Sequence, residues 1–182
     1  MITTHPEIEY KCLINEYQYR QLLAFYHGKY QETEQLNLYY QDQNGMIEQY
    51  HAVLRKRIIG DSTLLTFKIP DGNDLLEIEM VSDDLLNPEF LTALSHYQIY
   101  PPFTKVAKLL TIRRKVDLPD AELCIDENHY GGIVDYEVEY ELKQHQAGLP
   151  DFIAILAKAG ITYQANSLSK YQRALKKKRK PL

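Results

Sequence analysis

Apolar and polar residues alternate in short runs along this chain, and a few stretches switch to helical spacing. Glu7-Ile8-Glu9-Tyr10-Lys11-Cys12-Leu13 alternates with period two, which predicts a strand carrying Glu7, Glu9 and Lys11 on one face. Asn15 predicts a helix start: Gln18 stands three residues on as a capping-box partner, and Tyr19, Leu22, Leu23 and Tyr26 follow at helical spacing before Gly28. Residues 34–50 read as extended again, broken by Asn44-Gly45, a dipeptide that accepts the positive φ angles of a tight hairpin. Residues 50–59, 63–69 and 75–81, separated by turns at Gly60-Asp61 and Pro70-Asp71-Gly72, predict an antiparallel meander.

Asn87-Pro88 predicts an N-cap with proline at the first helical position, leading a helix through Phe90, Leu91 and Leu94. Strand patterns resume over 105–118, 121–128 and 133–142, with Gly131-Gly132 as the turn between the last two. The pattern gives about eight strands in all. Two helices then close the chain, one over 150–158 ending at Gly160 and one from about Asn166 into a basic tail over 166–182. No linker or internal repeat divides the sequence, so residues 1–182 are expected to form a single domain.

Composition narrows the class. With 182 residues, 45% hydrophobic content, 8 Gly and 8 Pro, the chain is an ordinary globular one, and collagen-like or disordered classes are excluded. The longest apolar run, residues 152–157, falls far short of the roughly 20 needed to span a bilayer. The first ten residues carry no basic-then-apolar leader, so the expected location is cytoplasmic, away from membrane. Cys12 and Cys124 are expected to be free and buried, since two cysteines supply neither a disulfide framework nor a metal cage. Five basic residues are consecutive from Lys176 to Lys180, and the remainder carries 16 basic against 25 acidic residues. An acidic body with a basic terminal block does not predict a specific nucleic-acid partner. The histidines, His5, His27, His51, His96, His129 and His145, lack zinc-motif spacing and are expected in surface or structural roles.

Candidate chemistry lies in the charged strand faces. Glu7 and Glu9 with Lys11, Arg55 with Arg57, Glu77 with Glu79, and Glu137 with Glu139 and Glu141 recur at i, i+2, so each set shares one side of its strand. Lys68 and Arg113 join them singly, whereas Arg114 falls out of phase and, with Lys115, is left out of the site. Ile8, Tyr10, Leu54, Ile58, Leu76, Ile78, Val138 and Tyr140 form the opposite, apolar faces. Two topologies accommodate this: a sheet with a wet outer face, or a barrel with charged faces inward and apolar faces outward beneath helices. A face holding both signs suits a multiply charged anion bound with divalent metal, because carboxylates hold Mg²⁺ or Mn²⁺ and Arg or Lys holds phosphate oxygens.

Glu7-Ile8-Glu9-Tyr10-Lys11 resembles the ExExK signature of the CYTH family, the triphosphate tunnel metalloenzymes. Arg55-Lys56-Arg57, Lys68, Glu77-Ile78-Glu79, Arg113, Asp126, Glu137-Val138-Glu139 and Ser169-Lys170-Tyr171 continue the resemblance in order along nearly the whole chain. Some relatives carry a basic residue where this chain has Thr111. The resemblance implies a β-rich α+β fold: a closed eight-stranded antiparallel barrel, forming a tunnel, with peripheral helices. It implies Glu7, Glu9, Glu137 and Glu139 as catalytic metal holders, with Mg²⁺ or Mn²⁺ as cofactor. It implies Lys11, Arg55, Arg57, Lys68, Arg113 and Lys170 as the phosphate clamp. Glu77, Glu79 and Asp126 would support metal, water or a basic side chain. The implied partner is a small triphosphate: inorganic tripolyphosphate, thiamine triphosphate or a nucleoside triphosphate. Hydrolysis is the expected reaction, with adenylyl cyclisation of ATP or binding without turnover as alternatives.

Overall fold

The computed structural model describes residues 1–72, 74–144, 148–165 and 168–178. Asn166, His145, Arg179 and Lys180, which entered the sequence reading, lie outside them. In chain order the elements are β1 (Ile2–Glu7), β2 (Glu9–Ile14), α1 (Glu16–Phe25), β3 (Gln31–Asp42), α2 (Met46–Gln49), β4 (Val53–Ile59), β5 (Ser62–Asp71), β6 (Asp74–Val81), α3 (Pro88–Ser95), β7 (Phe103–Asp117), β8 (Ala121–Tyr130), β9 (Ile133–Leu142), α4 (Leu149–Ala157) and α5 (Lys170–Lys178). The sheet order is β1-β6-β5-β4-β3-β7-β8-β9-β2, and every pair of known register is antiparallel.

Nine strands among the described residues, against about eight expected, arise at one place. The strand expected over 7–13 is β2, and ahead of it β1 adds a strand of which only Glu7 was expected; the two break at Ile8 and pair with different partners, β1 with β6 and β2 with β9. Alternation continues unbroken through Glu7-Ile8-Glu9, so periodicity does not register the change of partner. The second departure is at Asn44-Gly45, which does not make a tight hairpin. Gly45 adopts a left-handed backbone, φ 71°, and opens the single turn α2. The Asp42 carboxylate accepts from the Met46 and Ile47 amides at 3.1 and 2.9 Å, and Ile47 is buried, so the anchored turn replaces a strand continuing to residue 50. Elsewhere the punctuation holds. Asn15 forms the full capping box with Gln18, and the Asn87 side chain caps the helix that starts at Pro88.

The chain packs as two compact units. The first comprises residues 1–7, 35–109 and 170–182, and its core joins Leu54, Leu65, Phe67, Ile69, Ile78 and Met80 of the strands to Ile47 of α2 and Phe90 and Leu94 of α3. The second comprises 8–34 and 110–169, and joins Cys12, Leu123, Ile125, Val138 and Tyr140 to Tyr19 and Leu22 of α1 and Phe152, Ile155 and Leu156 of α4. In both units the helices cover the apolar strand face, leaving the charged face on the other side. A sheet whose apolar face is sealed by helices exchanges that area with water for contact worth about 25 cal/mol per Å².

Arg114 lies on the helix-covered face of the second unit, as its phase predicts. Its guanidinium donates to the Tyr19 hydroxyl, lies over the Tyr19 ring and pairs with Glu32 at 2.7 Å. Tyr19 in turn donates to Glu127 at 2.9 Å, and His129 contacts the same carboxylate at 2.8 Å. Burial alone raises the Glu127 pKa, but the hydrogen bonds from Tyr19 and His129 and the nearby cationic charge outweigh it and hold the carboxyl below its ordinary 4.5. A depressed carboxyl stabilises the fold above its unfolded pKa and loses that contribution as pH falls through the folded value. Replacing Glu127 with Gln is therefore expected to destabilise the protein at neutral pH. The gap to the parent should narrow below about pH 4.5, which urea unfolding at several pH values will test.

Candidate active site

Strand register gathers the predicted residues into a charged row within each unit. In the first unit, Arg55 stands opposite Thr66 and Thr66 opposite Glu79, while Lys68 stands opposite Glu77 and Glu77 opposite His5. Arg57 is opposite Asn37, whose side-chain oxygen accepts from Arg57 Nε at 2.8 Å. Lys68 donates to Glu7 and lies 3.2 Å from Glu77, and Arg55 is 3.6 Å from Glu77. The Thr66 hydroxyl accepts from Arg55 at 3.1 Å and donates to Glu79 at 3.2 Å. Glu7, Glu77, Arg55 and Thr66 are buried although they face away from the helices. That disposes of a uniformly wet outer face, because water-facing charges on an open sheet do not lose their solvent.

Arg55 carries a specific vacancy in its bonding. It is 8% exposed, and its Nε is a buried donor with no hydrogen-bond partner among the described residues. A buried unsatisfied donor costs on the order of 1–3 kcal/mol, so its persistence on a row of charges marks a place for an incoming acceptor. Lys170 begins α5, which is anchored on the same side: the Tyr171 ring lies 5.0 Å from that of Tyr39, and Gln41 donates to the Tyr171 hydroxyl at 2.7 Å. Tyr39 stands directly opposite Arg55.

In the second unit the row runs across β7, β8, β9 and β2. Arg113 is opposite Asp126, Asp126 opposite Glu137, and Glu137 opposite Leu13. One cross-row over, Glu139 is opposite both Cys124 and Lys11, and Glu9 is opposite Glu141. Arg113 binds Asp126 through two parallel bonds, Nε at 2.9 Å and Nη2 at 2.6 Å, and also donates to Glu139. Asp126 and Glu137 are 0% exposed. Burial by itself lowers the Arg113 pKa, but Asp126 first, with Glu139 adding to it, lifts the guanidinium well above its ordinary value. Lys11 is likewise raised: Glu9, to which it donates, and then Glu139 outweigh the cost of burial.

Two residues on these faces were passed over in the sequence. His5, two before Glu7, joins the first row 3.6 Å from Glu77. Lys115, two after Arg113, stands opposite Cys124 on the charged face and pairs with Glu122 at 2.9 Å. Both carry the same signal, the i, i+2 phase of a recognised site residue. Cys12 and Cys124 are free and buried as expected, Cys12 in the apolar core and Cys124 on the charged row.

The donor chemistry suits a hard divalent cation. Among the described residues no three His, Cys, Asp or Glu side chains are gathered as a ready metal cage. A cage is not required, because Mg²⁺ is commonly held by one or two carboxylates, with water and substrate phosphates completing its shell. Glu9, Glu137 and Glu139 supply such carboxylates on one row, and Glu7 supplies one on the other.

In each unit an antiparallel sheet carries a desolvated row of carboxylates and cations, a donor set that suits a polyanion bound with metal. The chain belongs to the CYTH domain family, whose profile matches residues 5–174. Enzymes of that family depend on divalent metal and bind triphosphates. No curated protein sequence matches the chain. Solved structures do. A candidate adenylate cyclase from Bacillus halodurans superimposes with a TM-score of 0.83 at 25% identity, covering 93% of this chain and 97% of that one. A candidate adenylyl cyclase from Hippeastrum, described as having a dominant triphosphatase activity, gives 0.76 at 18% identity over 96% and 97%. The protein PH1819 of Pyrococcus horikoshii gives 0.66 at 19% identity over 94% and 99%. Among the described residues no helix is long and apolar enough to cross a membrane.

Asp126→Asn is expected to lower unfolding free energy by about 3 kcal/mol or more, because it strips a buried guanidinium of its principal counter-charge. Urea titration of the variant against the parent measures it.

Proposed function

We propose that this protein hydrolyses a triphosphate, inorganic tripolyphosphate being the preferred substrate, with Mg²⁺ or Mn²⁺ as cofactor. The observation that carries the reading is the unsatisfied, buried Nε of Arg55 within a row that also holds Arg57 and Lys68. Arginine offers planar paired donors to phosphate oxygens, and lysine a movable point charge. Arg55, Arg57, Lys68 and Lys170 grip phosphate oxygens, as do Lys11 and Arg113 on the second row.

Glu7, Glu9, Glu137 and Glu139 are the residues that would hold the metal, with Glu77, Glu79 and Asp126 in support. When bound, the cation offsets phosphate charge and lowers the pKa of coordinated water. The chain's own contribution is electrostatic and positional. Lys68 releases Glu7, and Lys11 releases Glu9, as each ammonium turns to phosphate, so the ligand replaces the counter-ions of the resting protein. Asp126 is a positioning residue that holds the plane of Arg113 through its two bonds. A row already bearing its cations in place needs little reorganisation when charge develops on the transferring phosphoryl group.

Adenylate cyclase activity is the second reading, favoured by the name of the Bacillus halodurans neighbour. Product analysis separates the two: hydrolysis yields phosphate, and cyclisation yields cyclic AMP and pyrophosphate.

The test is phosphate release from tripolyphosphate, ATP and thiamine triphosphate with Mg²⁺ or Mn²⁺. Release is expected to be fastest from tripolyphosphate and to stop with chelator. Glu139→Gln should chiefly lower kcat, by about a hundredfold or more if it removes a metal contact. Arg55→Ala should chiefly raise KM. Absence of release from all three substrates by the folded parent overturns the hydrolase reading.

A further inference from the structure

The charged row of the second unit is longer than the family resemblance requires. Lys115 follows Arg113 by two residues on β7, so both lie on the face that the helices leave uncovered. Across the strands, Lys115 stands opposite Cys124, Cys124 opposite Glu139, and Glu139 opposite Lys11. The same cross-row therefore begins and ends with a lysine. Each of those lysines leans out of it toward a carboxylate of the next: Lys11 donates to Glu9, and Lys115 donates to Glu122 at 2.9 Å. Glu9 and Glu122 both stand opposite Glu141, from its two sides. The arrangement is two Lys-Glu pairs flanking one central glutamate.

The two lysines differ in access. The Lys115 side chain is 39% exposed, against 23% for Lys11. An exposed lysine-glutamate pair contributes little to stability, so exchanging Glu122 for a ligand oxygen costs little. The four-carbon stem lets the ammonium swing back toward its own cross-row. Two residues along a strand span roughly 6.6 Å, so Arg113 and Lys115 address different phosphates of one chain.

We infer that Lys115, with Glu122 as its resting counter-ion, is a further ligand-binding cation that grips the terminal phosphate of an inorganic polyphosphate chain at the end that a nucleoside triphosphate carries esterified. This rests on the triphosphate reading above and deepens it by naming what distinguishes the preferred substrate. A free terminal phosphate takes a second negative charge with a pKa of about 6, whereas the esterified end of a nucleoside triphosphate carries one. A cation at that end favours the inorganic chain over the ester.

The experiment uses the full chain with tripolyphosphate and ATP as probes. Binding is measured by calorimetry in chelator, where no turnover occurs, and kcat and KM are then measured with Mg²⁺. Lys115→Gln is expected to weaken tripolyphosphate about tenfold and ATP by less than about threefold, the loss of one charge-assisted contact to one ligand only. Lys115→Arg should retain most of the affinity. Glu122→Gln should leave tripolyphosphate binding unchanged or tighten it, because it frees the ammonium. Equal losses for both ligands, no loss in Lys115→Gln, or parallel weakening in Lys115→Gln and Glu122→Gln overturns the assignment. The last pattern is that of a purely structural pair. If the parent itself neither binds nor hydrolyses either probe, the triphosphate reading fails first, which the variants do not decide.

Discussion

Asp126 and Glu137 are shut off from water opposite one another, with Arg113 held on Asp126 by two parallel bonds. Ionised groups in such a place must be matched by charge and hydrogen bonds, or the fold gives up several kcal/mol per ion. Everything around the row serves that match. The apolar halves of the same strands are sealed by α1 and α4 in one unit and by α2 and α3 in the other, so hydrophobic burial supplies the stability that the charged faces do not. Replacing a buried ion pair by well-packed apolar side chains is commonly neutral or stabilising. Rows of charge that fold stability does not require are what the proposed ligand chemistry would use.

Adjacent residues on one strand show how strictly the pleat divides these tasks. Arg113 turns to Asp126 and Glu139 on the charged face, and Arg114 turns to Tyr19, Glu32 and Glu127 beneath a helix. Their chemistry is identical and their surroundings are not. Alternation is set by backbone geometry alone, which is why period two assigned both arginines correctly from the sequence. The same rule, applied one residue further, would have put Lys115 with Arg113. Treating the basic run as a unit hid that phase.

Legibility was highest where a residue type has a single physical use. Asn15 with Gln18 and Asn87 with Pro88 announce helix starts, because their side chains satisfy orphan amides that few other residues reach. It was lower where one local requirement has several structural outcomes. Asn44-Gly45 signals a positive φ, and both a tight hairpin and the left-handed entry to α2 meet that demand. The Asp42 carboxylate and the burial of Ile47 decide between them, and both act at a distance that a dipeptide does not report. Ile8 is a third kind of case: the face pattern is continuous while the pairing partner changes, and pairing is a property of two segments, not one.

The two rows also differ in charge, and the difference suggests how the chemistry divides. In the first unit Glu7, Glu77 and Glu79 share their face with Arg55, Arg57 and Lys68, so cations match carboxylates in number. In the second, Glu9, Asp126, Glu137, Glu139 and Glu141 face Lys11 and Arg113, with the Lys115-Glu122 pair neutral at the side. A row rich in carboxylate repels a bare polyphosphate and attracts it once a divalent ion has reversed the local sign. A row in which cations match carboxylates, with an arginine donor left open, attracts phosphate oxygens directly. On the proposed reading, metal would strengthen engagement of the acid-rich row beyond what its own cations provide. Lys115, more exposed than Lys11, is a cation of that row whose release from Glu122 would tilt the balance toward an anion without metal, and that is what would make its proposed contribution separable from the cofactor's.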